Sequence, residues 1–325
     1  MSDISFHSKI DFSELSQSVQ EMKNEIGRIV VGQHQLIEQM IVAILANGHI
    51  LIEGVPGVAK TLSAKLLSKT LDVDFRRIQF TPDMMPSDIL GTSVYLQGSG
   101  KFEFKKGPIF SNIVLVDEIN RAPAKTQSAL FEVMEERQIT NDGITYKLDY
   151  PFLIVATQNP IEQEGTYRLP EAQLDRFLFK IHVSYPNIID EIAILDRQNK
   201  GELSTENINL NTVLNGEKLN RLRLQIERVH TEYKLLEYIA QIVASTRQSP
   251  WVSLGASPRA SIAILAASKA LAAIRGRDFV TPEDIKEMAV PVLRHRIMLT
   301  PEKEMEGIST DTIICQLIDK NLVPR

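Results

Sequence analysis

Five short apolar runs, separated by segments with helical spacing, constrain the fold of the first half of the chain. They are HILIE (49–53), RRIQF (76–80), NIVLVDE (112–118), FLIVATQ (152–158) and KIHVS (180–184). Several are apolar almost throughout, which is typical of strands that crossover helices cover on both faces. The sequence therefore predicts an α/β domain built on a parallel five-stranded sheet.

The second half of the chain has a different pattern. From about residue 190 the apolar residues recur at helical spacing, and Thr281 followed by Pro282 is typical of a helix start. The apolar series are Leu219, Leu222, Ile226 and Val229, then Leu236, Ile239 and Val243. We therefore expect an α/β core over 1–188 and an all-helical domain over 189–325, with a surface loop near 199–217.

Composition narrows the class of protein. The net charge of −5 gives no support to a nucleic-acid partner. No apolar run approaches the ~20 residues that a membrane-spanning helix needs. Cys315 is the single cysteine, so an internal disulfide framework is excluded and a reducing compartment fits best. We expect a cytoplasmic protein.

The stretch GVPGVAKT begins at Gly54, between the first apolar run and a helical segment. A phosphate loop needs backbone N–H groups that face an anion, a helix N-terminus and a lysine for the β- and γ-phosphates. Gly57 would tighten the turn, Lys60 would supply the charge and Thr61 a hydroxyl for Mg²⁺. Ala59 replaces the usual final glycine, and we expect it to keep a negative φ because the helix begins there. The alternative is a glycine-rich turn with a surface lysine.

Polar residues end the next buried runs. Asp117 and Glu118 lie at the carboxyl end of a predicted strand, where parallel sheets bind ligands. An aspartate there can hold Mg²⁺ through water, and a glutamate can polarise the water that attacks a γ-phosphate. Asn159 ends the following strand with an amide that would orient this water. The alternatives are a pair of solvated acids and a simple Asn-Pro turn. The loop upstream favours a nucleotide site.

Four stretches of the sequence together resemble one known family of proteins. GVPGVAKT, LVDEINRAPAKTQSALFEVMEERQIT, ATQNPIEQEGTYRLPEAQLDRFLF and GASPRA resemble the AAA+ superfamily, and specifically its MoxR family. The match spans roughly residues 26–300. It implies a P-loop αβα nucleotide-binding domain with a five-stranded parallel sheet, followed by an all-helical lid. Alanine at the place of Ala59 is common in MoxR-like loops.

The resemblance also implies the nucleotide and metal contacts. Glu118 matches the Walker B glutamate and Asn159 matches the sensor-1 residue. Thr61 and Asp117 would hold Mg²⁺. The stretch IVVGQ (29–33) resembles the N-terminal segment whose backbone lines the adenine pocket. The expected contacts of ATP are Val30, Val31, Gly54, Val55, Pro56, Gly57, Val58, Ala59, Lys60, Thr61 and Leu62.

Two further arginines match catalytic residues of the family. Arg176 matches the arginine finger, which serves the nucleotide of a neighbouring subunit. Arg259 matches sensor 2, a lid arginine that reaches the γ-phosphate. Arg168 stands where relatives usually have proline and is a second candidate for the finger. For Arg176 and Arg259 the alternative is a structural ion pair.

Two inserted stretches, 93–110 and 137–149, are predicted hairpins. Asp142-Gly143 is a strong two-residue turn signal in the second. Both match insertions of the AAA+ branch that includes MoxR, magnesium chelatase and the MCM helicases. The first carries Lys101, Lys105 and Lys106, interleaved with Phe102 and Phe104. This pattern fits nucleic-acid contact, but we favour the ordinary alternation of a half-buried hairpin.

The expected function is that of an Mg²⁺-dependent ATPase that forms a homo-oligomeric ring and remodels partner proteins. The resemblance implies a hexamer, a partner with a von Willebrand factor A domain, and a role in the maturation or metal-cofactor insertion of a client protein. The alternatives are a helicase-like nucleic-acid motor and a slow, nucleotide-controlled binding switch.

Overall fold

The structure is a computed structural model that describes residues 10–55, 57–98, 100–159, 167, 169–200 and 210–323. Of the predicted features, Pro56, Arg168 and the middle of the loop near 199–217 lie outside these residues. The helices are α1 (Ser13–Gly27), α2 (His34–Leu45), α3 (Lys60–Thr70), α4 (Pro86–Leu90), α5 (Ala124–Glu136), α6 (Glu171–Leu174), α7 (Ile188–Asn199), α8 (Gly216–Ile226), α9 (Tyr233–Gln248), α10 (Pro258–Ile274), α11 (Pro282–Leu293), α12 (Pro301–Met305) and α13 (Thr310–Lys320).

The strands include all five that the sequence predicts, and no end of these five is shifted by more than one residue. They are β1 (Ile50–Gly54), β2 (Phe75–Gln79), β3 (Gly91–Leu96), β4 (Lys101–Lys106), β5 (Ile113–Asp117), β6 (Gln138–Asn141), β7 (Ile144–Lys147), β8 (Leu153–Gln158), β9 (Phe179–Val183), β10 (Val252–Leu254) and β11 (Met298–Leu299). The main sheet has the order β2-β5-β8-β1-β9. Every neighbouring pair in it is parallel, as predicted.

Successive side chains of the central strands are buried on opposite faces of the sheet. Ile50 and Ile52 belong to one apolar cluster and Leu51 to the other. The first cluster includes residues of α1, α2 and α3, and the second includes residues of α5. Because a strand buried on both faces needs apolar side chains at every position, the near-continuous apolar runs are explained. The αβα layering is confirmed.

The lid is helical, as predicted, and shares its core with the sheet. Leu271 of α10 lies in the same apolar cluster as Ile50. Thr281 caps α11, and its backbone N–H and hydroxyl both donate to the Asp284 carboxylate, at 2.9 and 3.0 Å. The lid also contains one antiparallel pair of short strands, β10 with β11. It is therefore mainly helical, where an all-helical domain was predicted. The division of the chain into domains at residue 188 stays a prediction.

Both predicted hairpins are present, formed by β3 with β4 and by β6 with β7. Asp142 and Gly143 both have positive φ, 49° and 76°, as a tight two-residue turn requires. The hairpins pack together, because Phe104 stacks on Tyr146 with a centroid distance of 4.8 Å. Phe104 is thus half-buried as predicted, whereas Phe102 is 71 % exposed at the tip.

His49, which immediately precedes β1, links two strands and a helix. Its Nδ1 accepts from the Ile154 N–H at 3.0 Å, so its Nε2 carries the proton and donates to the Met134 carbonyl at 3.0 Å. Burial lowers the pKa of His49 from 6.5 to about 3. The neutral ring therefore contributes stability above pH 6.5, and this contribution is lost as the pH falls towards 3.

We expect His49 to lower the free energy of unfolding by about 3.5 kcal/mol between pH 6.5 and pH 4, at about 1.4 kcal/mol for each pH unit. Urea unfolding between pH 7.5 and 4 measures this loss. His49→Gln should make the dependence shallower, because the unfolded chain then has one fewer imidazole that binds a proton only after unfolding; the buried His295, whose pKa burial also lowers, keeps the rest of the slope. His34→Gln on the exposed surface is the matched control. An unchanged slope in the His49 variant would contradict the assignment.

Candidate nucleotide site

The predicted phosphate loop lies between β1 and α3. Two of its positions favour glycine, each for a different structural reason. A Cβ on Gly54 would lie 2.4 Å from the Val183 carbonyl oxygen, so only glycine lets β9 approach so closely. Gly57 has open space around it but a φ of +84°, which side chains rarely adopt. The Lys60 ammonium folds back over the loop and donates to the Gly54 carbonyl at 2.7 Å. The local geometry is that of a strand, a tight turn and a helix N-terminus.

Three apolar side chains at this turn, Val55, Val58 and Leu62, anchor it to the core. Val58 is buried, and Val55 and Leu62 pack against the same apolar cluster. Their side chains therefore fix the loop to the sheet, and the backbone is left to face a ligand.

Ala59 corrects one expectation. It caps α3 with φ 59° and ψ 21°, in the left-handed region, where a negative φ was predicted. That conformation costs an L-residue roughly 1–2 kcal/mol, which explains why a glycine usually stands here. A small side chain was correctly expected, but the sign of φ is set by the turn from strand to helix.

Replacement of Ala59 should therefore act through the backbone. Ala59→Gly relieves the left-handed strain and should stabilise the fold by up to about 1 kcal/mol. The gain is no larger because glycine also raises the conformational entropy of the unfolded chain. Ala59→Val places a β-branched side chain at positive φ and should destabilise the fold and weaken ATP binding. Urea unfolding and titration with a fluorescent ATP analogue check both, with ATP affinity in the glycine variant expected within a few-fold of wild type. Equal affinity in the valine variant would contradict this account.

The two acids at the end of β5 lie beside the phosphate loop. Asp117 is buried, and its carboxylate accepts from the Thr157 hydroxyl at 3.0 Å and from Arg77 Nε at 2.6 Å. Burial lowers the pKa of Lys60, and the negative charges of Asp117 and Glu118 oppose that shift. The structure therefore brings the lysine and both acids together at one edge of the sheet.

Glu118 is held in an uncommon conformation. Its φ is 57°, and its backbone N–H donates to the Thr157 hydroxyl at 3.0 Å. Its carboxylate accepts from Gln79 Nε2 at 2.7 Å and pairs with Arg121 at 3.1 Å. Backbone strain of this kind persists only where surrounding contacts impose it, and it clusters at functional sites.

Four of these partners were not expected from the sequence: Arg77, Gln79, Arg121 and Thr157. Arg77 and Gln79 lie on one face of β2, and the register of β2 with β5 places Gln79 beside Asp117. The available signal was the pair of polar side chains two residues apart in RRIQF. It identifies a polar strand face but not the strand that lies next to it.

The residues predicted to hold Mg²⁺ fit that ion. The described residues contain no group of three or more His, Cys, Asp or Glu side chains that could hold a metal. Mg²⁺ at a nucleotide takes most of its ligands from phosphate and water and only one or two from the protein. Thr61, in the first turn of α3, and Asp117, at the end of β5, would supply one hydroxyl and one carboxylate of this kind.

The predicted adenine segment and Asn159 also lie at this end of the molecule. Val30 is buried and Val31 is half-buried in the turn between α1 and α2. Gly32 follows with a φ of +75°, and a Cβ there would lie 2.6 Å from the Asp190 carboxylate of α7. Asn159 follows β8 directly, at the edge where β5 ends in Asp117.

Arg176 and Arg259 are at the opposite end of the sheet. Both pair with the carboxylate of Glu135 in α5, Arg259 at 2.7 Å. Met134, the neighbour of Glu135, contacts His49 just before β1, whereas the phosphate loop follows β1. Five strand residues at ~3.3 Å each separate the two ends by roughly 15 Å. In one chain these arginines form the ion pairs that were the alternative expectation, and they do not reach its own phosphate loop.

No helix among the described residues is long and apolar enough to cross a membrane.

Comparison with known proteins identifies the family. Residues 49–179 match the ATPase family associated with various cellular activities (AAA), and residues 244–317 match the AAA lid domain. The chain is 45 % identical to chaperone MoxR1 of Mycobacterium tuberculosis over 93 % of its own length and 81 % of the relative's. It is 47 % identical to the uncharacterized protein YeaC of Bacillus subtilis, over 92 % of each chain.

A solved structure agrees with the sequence matches. The crystal structure of a candidate ATPase from Cytophaga hutchinsonii superposes with a TM-score of 0.88 at 45 % identity, over 96 % of this chain and 97 % of that one. Both parts of the fold, the parallel sheet and the helical lid, thus have counterparts in known proteins. The chain belongs to the MoxR family of AAA+ ATPases.

Proposed function

We propose that this chain is an Mg²⁺-dependent ATPase that works as a homo-oligomeric ring, expected to be a hexamer, and remodels partner proteins. The observation that carries the proposal is the split of the charged residues between the two ends of one sheet. Lys60, Asp117 and Glu118 lie together at one end, and Arg176 with Arg259 at the other. A complete site then needs the first end of one subunit and the second end of its neighbour.

The chemistry assigned to the first end is the attack of water on the γ-phosphorus of ATP. The bond from the γ-phosphorus to its bridging oxygen breaks, ADP leaves, and the proton of the water passes to the Glu118 carboxylate. Lys60 offsets the charge of the phosphates, and Mg²⁺ supplies further charge stabilisation when bound at Thr61 and Asp117. Asn159 orients the attacking water.

Gln79 and Arg121 both bind the Glu118 carboxylate. Both contacts are to one oxygen of the carboxylate, Oε2. A general base must lie within hydrogen-bond reach of the water from which it takes a proton. Gln79 and Arg121 therefore set the orientation in which the Glu118 carboxylate would meet that water.

The role in remodelling rests on the relatives. The similar MoxR1 is named a chaperone, and the resemblance implies a partner with a von Willebrand factor A domain and a client whose maturation or metal-cofactor insertion it assists. Two measurements test the core of the proposal: ATP hydrolysis with and without Mg²⁺, and the mass of the assembly with and without ATP. A chain that assembles but does not hydrolyse ATP would support the binding-switch alternative.

Exposed aromatic side chains at the tip of the first hairpin favour testing the nucleic-acid alternative. Tyr95 and Phe102 pair at the tip of the first hairpin, 52 % and 71 % exposed, with Lys101 beside them. Exposed aromatic rings next to lysines can stack on bases. DNA that raises the ATPase rate would favour a helicase-like motor, and the net charge of −5 argues against it.

A further inference from the structure

Helix α7 carries an apolar face that is exposed. Ile188, Ile192 and Leu195 are 77 %, 60 % and 64 % exposed, and no residue of α7 is buried. Their spacing of four and then three residues places them in one stripe, about 10 Å long at 1.5 Å per residue. Ile189, 78 % exposed, lies beside it. A continuous apolar stripe of this kind marks a contact surface.

The opposite face of α7 attaches to the nucleotide end of its own chain. Arg197 donates to the carbonyls of Gly27 and Arg28, at 3.1 and 2.6 Å. Asp190 lies against Gly32, in the turn that carries the predicted adenine contacts. The exposed stripe is therefore held at the rim of the nucleotide site, facing away from it.

A groove of matching length lies along α10, at the other end of the sheet. Two adjoining cavities of about 350 and 390 Å³ share Ala46, Asn47, Ile262 and Ala266 as lining residues. Ile262 is 69 % exposed between them, one turn after Arg259 in α10. From Arg259 to Ala266 the groove extends about 10 Å along the helix.

The two surfaces also carry opposite charge. Helix α7 has three carboxylates, Asp190, Glu191 and Asp196, and one arginine. The two cavities are lined by six cationic side chains, Arg137, Arg176, Arg223, Arg259, Lys269 and Arg296, against the carboxylates of Glu135, Asp175 and Glu227. Complementary charge favours encounter and fixes the orientation of docking.

We propose that the α7 stripe of one copy of this chain packs into the α10 groove of a second copy. The two surfaces lie at opposite ends of one rigid sheet, so a chain cannot satisfy the contact by itself. A head-to-tail contact of this kind closes into a ring when its rotation allows. The same contact carries Arg176 and Arg259, which line or adjoin the groove, towards the nucleotide of the neighbour. The inference rests on the proposed ring ATPase and names the surfaces that form it.

A cysteine cross-link tests the contact directly. Ile192→Cys and Ile262→Cys are combined with Cys315→Ser, which removes the one native thiol. With ATP present, mild oxidation by copper phenanthroline should produce a ladder of disulfide-linked oligomers that reductant collapses. Ile192→Cys paired with Met305→Cys, whose position is 84 % exposed on α12, is the matched control and should give none. An assembled protein with no cross-link, or one equal to the control, overturns the proposal.

A charge placed on the stripe gives an independent measurement. Ile192→Glu should raise the dissociation constant for assembly by about 10- to 100-fold, the cost of removing one buried isoleucine from the contact. Its affinity for a fluorescent ATP analogue should stay near wild type. Ile192→Leu should restore assembly, and Met305→Glu is the control for an exposed charge. Sedimentation velocity with ATP present measures assembly.

The outcomes separate this interface from the proposed function. A wild-type chain that remains monomeric with ATP overturns the ring and the interface together. A wild-type chain that assembles, while Ile192→Glu assembles equally well, overturns the interface alone and leaves the ring ATPase standing.

Discussion

Replacement of Arg176 by alanine should lower steady-state ATP hydrolysis by about 10³-fold or more, the effect of losing an arginine that acts on a neighbour's phosphoryl group. ATP binding should stay near wild type, because Arg176 pairs with Glu135 at the end of the sheet away from the loop of its own chain. Malachite-green phosphate release and titration with a fluorescent ATP analogue measure the two properties separately.

Mixing variants tests whether the site is shared between subunits. Arg176→Ala keeps an intact phosphate loop, and Lys60→Ala keeps an intact arginine. A mixture should regain activity, since some interfaces then join an intact loop to an intact arginine. Labelled-subunit mixing first establishes that subunits exchange.

Three other results of the mixing experiment would change the assignment. Recovery only when Arg168→Ala replaces Arg176→Ala in the mixture would make Arg168 the finger. Recovery by Arg259→Ala with Lys60→Ala would show that the lid arginine also acts across the interface, as its pairing with Glu135 suggests. If subunits exchange and no mixture recovers, the shared-site mechanism is wrong.

Replacement of Glu118 by glutamine should lower turnover by at least ~10²-fold, the lower range for loss of a general base. Glutamine keeps the size of the side chain but cannot take the proton of the attacking water. ATP binding should persist, because Lys60 and the loop backbone are unchanged. Lys60→Ala is the complementary variant and should fail mainly in binding, since it removes the cation beside the phosphates.

The comparison of these two variants separates chemistry from binding. Single-turnover hydrolysis and equilibrium titration are measured on the same preparations. A glutamine variant that hydrolyses ATP at the wild-type rate would mean that Glu118 is not the base. A glutamine variant that still binds ATP is also the suitable bait for affinity capture of the client and of a von Willebrand factor A partner, because it remains in the nucleotide-bound state.

Much of the fold could be predicted because it depends on local patterns. Strands buried on both faces must be apolar throughout, so all five core strands were found within one residue of their ends. The Asp142-Gly143 turn was found for a similar reason, since few residue pairs adopt two positive φ values. The phosphate loop and the acids after β5 were likewise visible as short, contiguous motifs.

The backbone conformation of Ala59 could not be predicted from its identity. Alanine strongly favours negative φ, and its small size suggested an ordinary helix start. The value of +59° arises because the chain must turn from the end of β1 into α3 while Gly54 lies against β9. That constraint comes from the neighbouring strand, which is about 130 residues further along the chain.

The sequence by itself determined the family, the α/β core, the helical lid and the chemical character of the nucleotide site, because each depends on residues close together in the chain. The tertiary structure decided which side chains meet. Strand order put Gln79 and Arg77 of β2 next to the acids of β5, and it put Arg176 and Arg259 together on Glu135, at the far end from the phosphate loop. These pairings join residues 39 to 124 positions apart. The physical reason is that strand register and helix packing depend on the whole core, which no local pattern records.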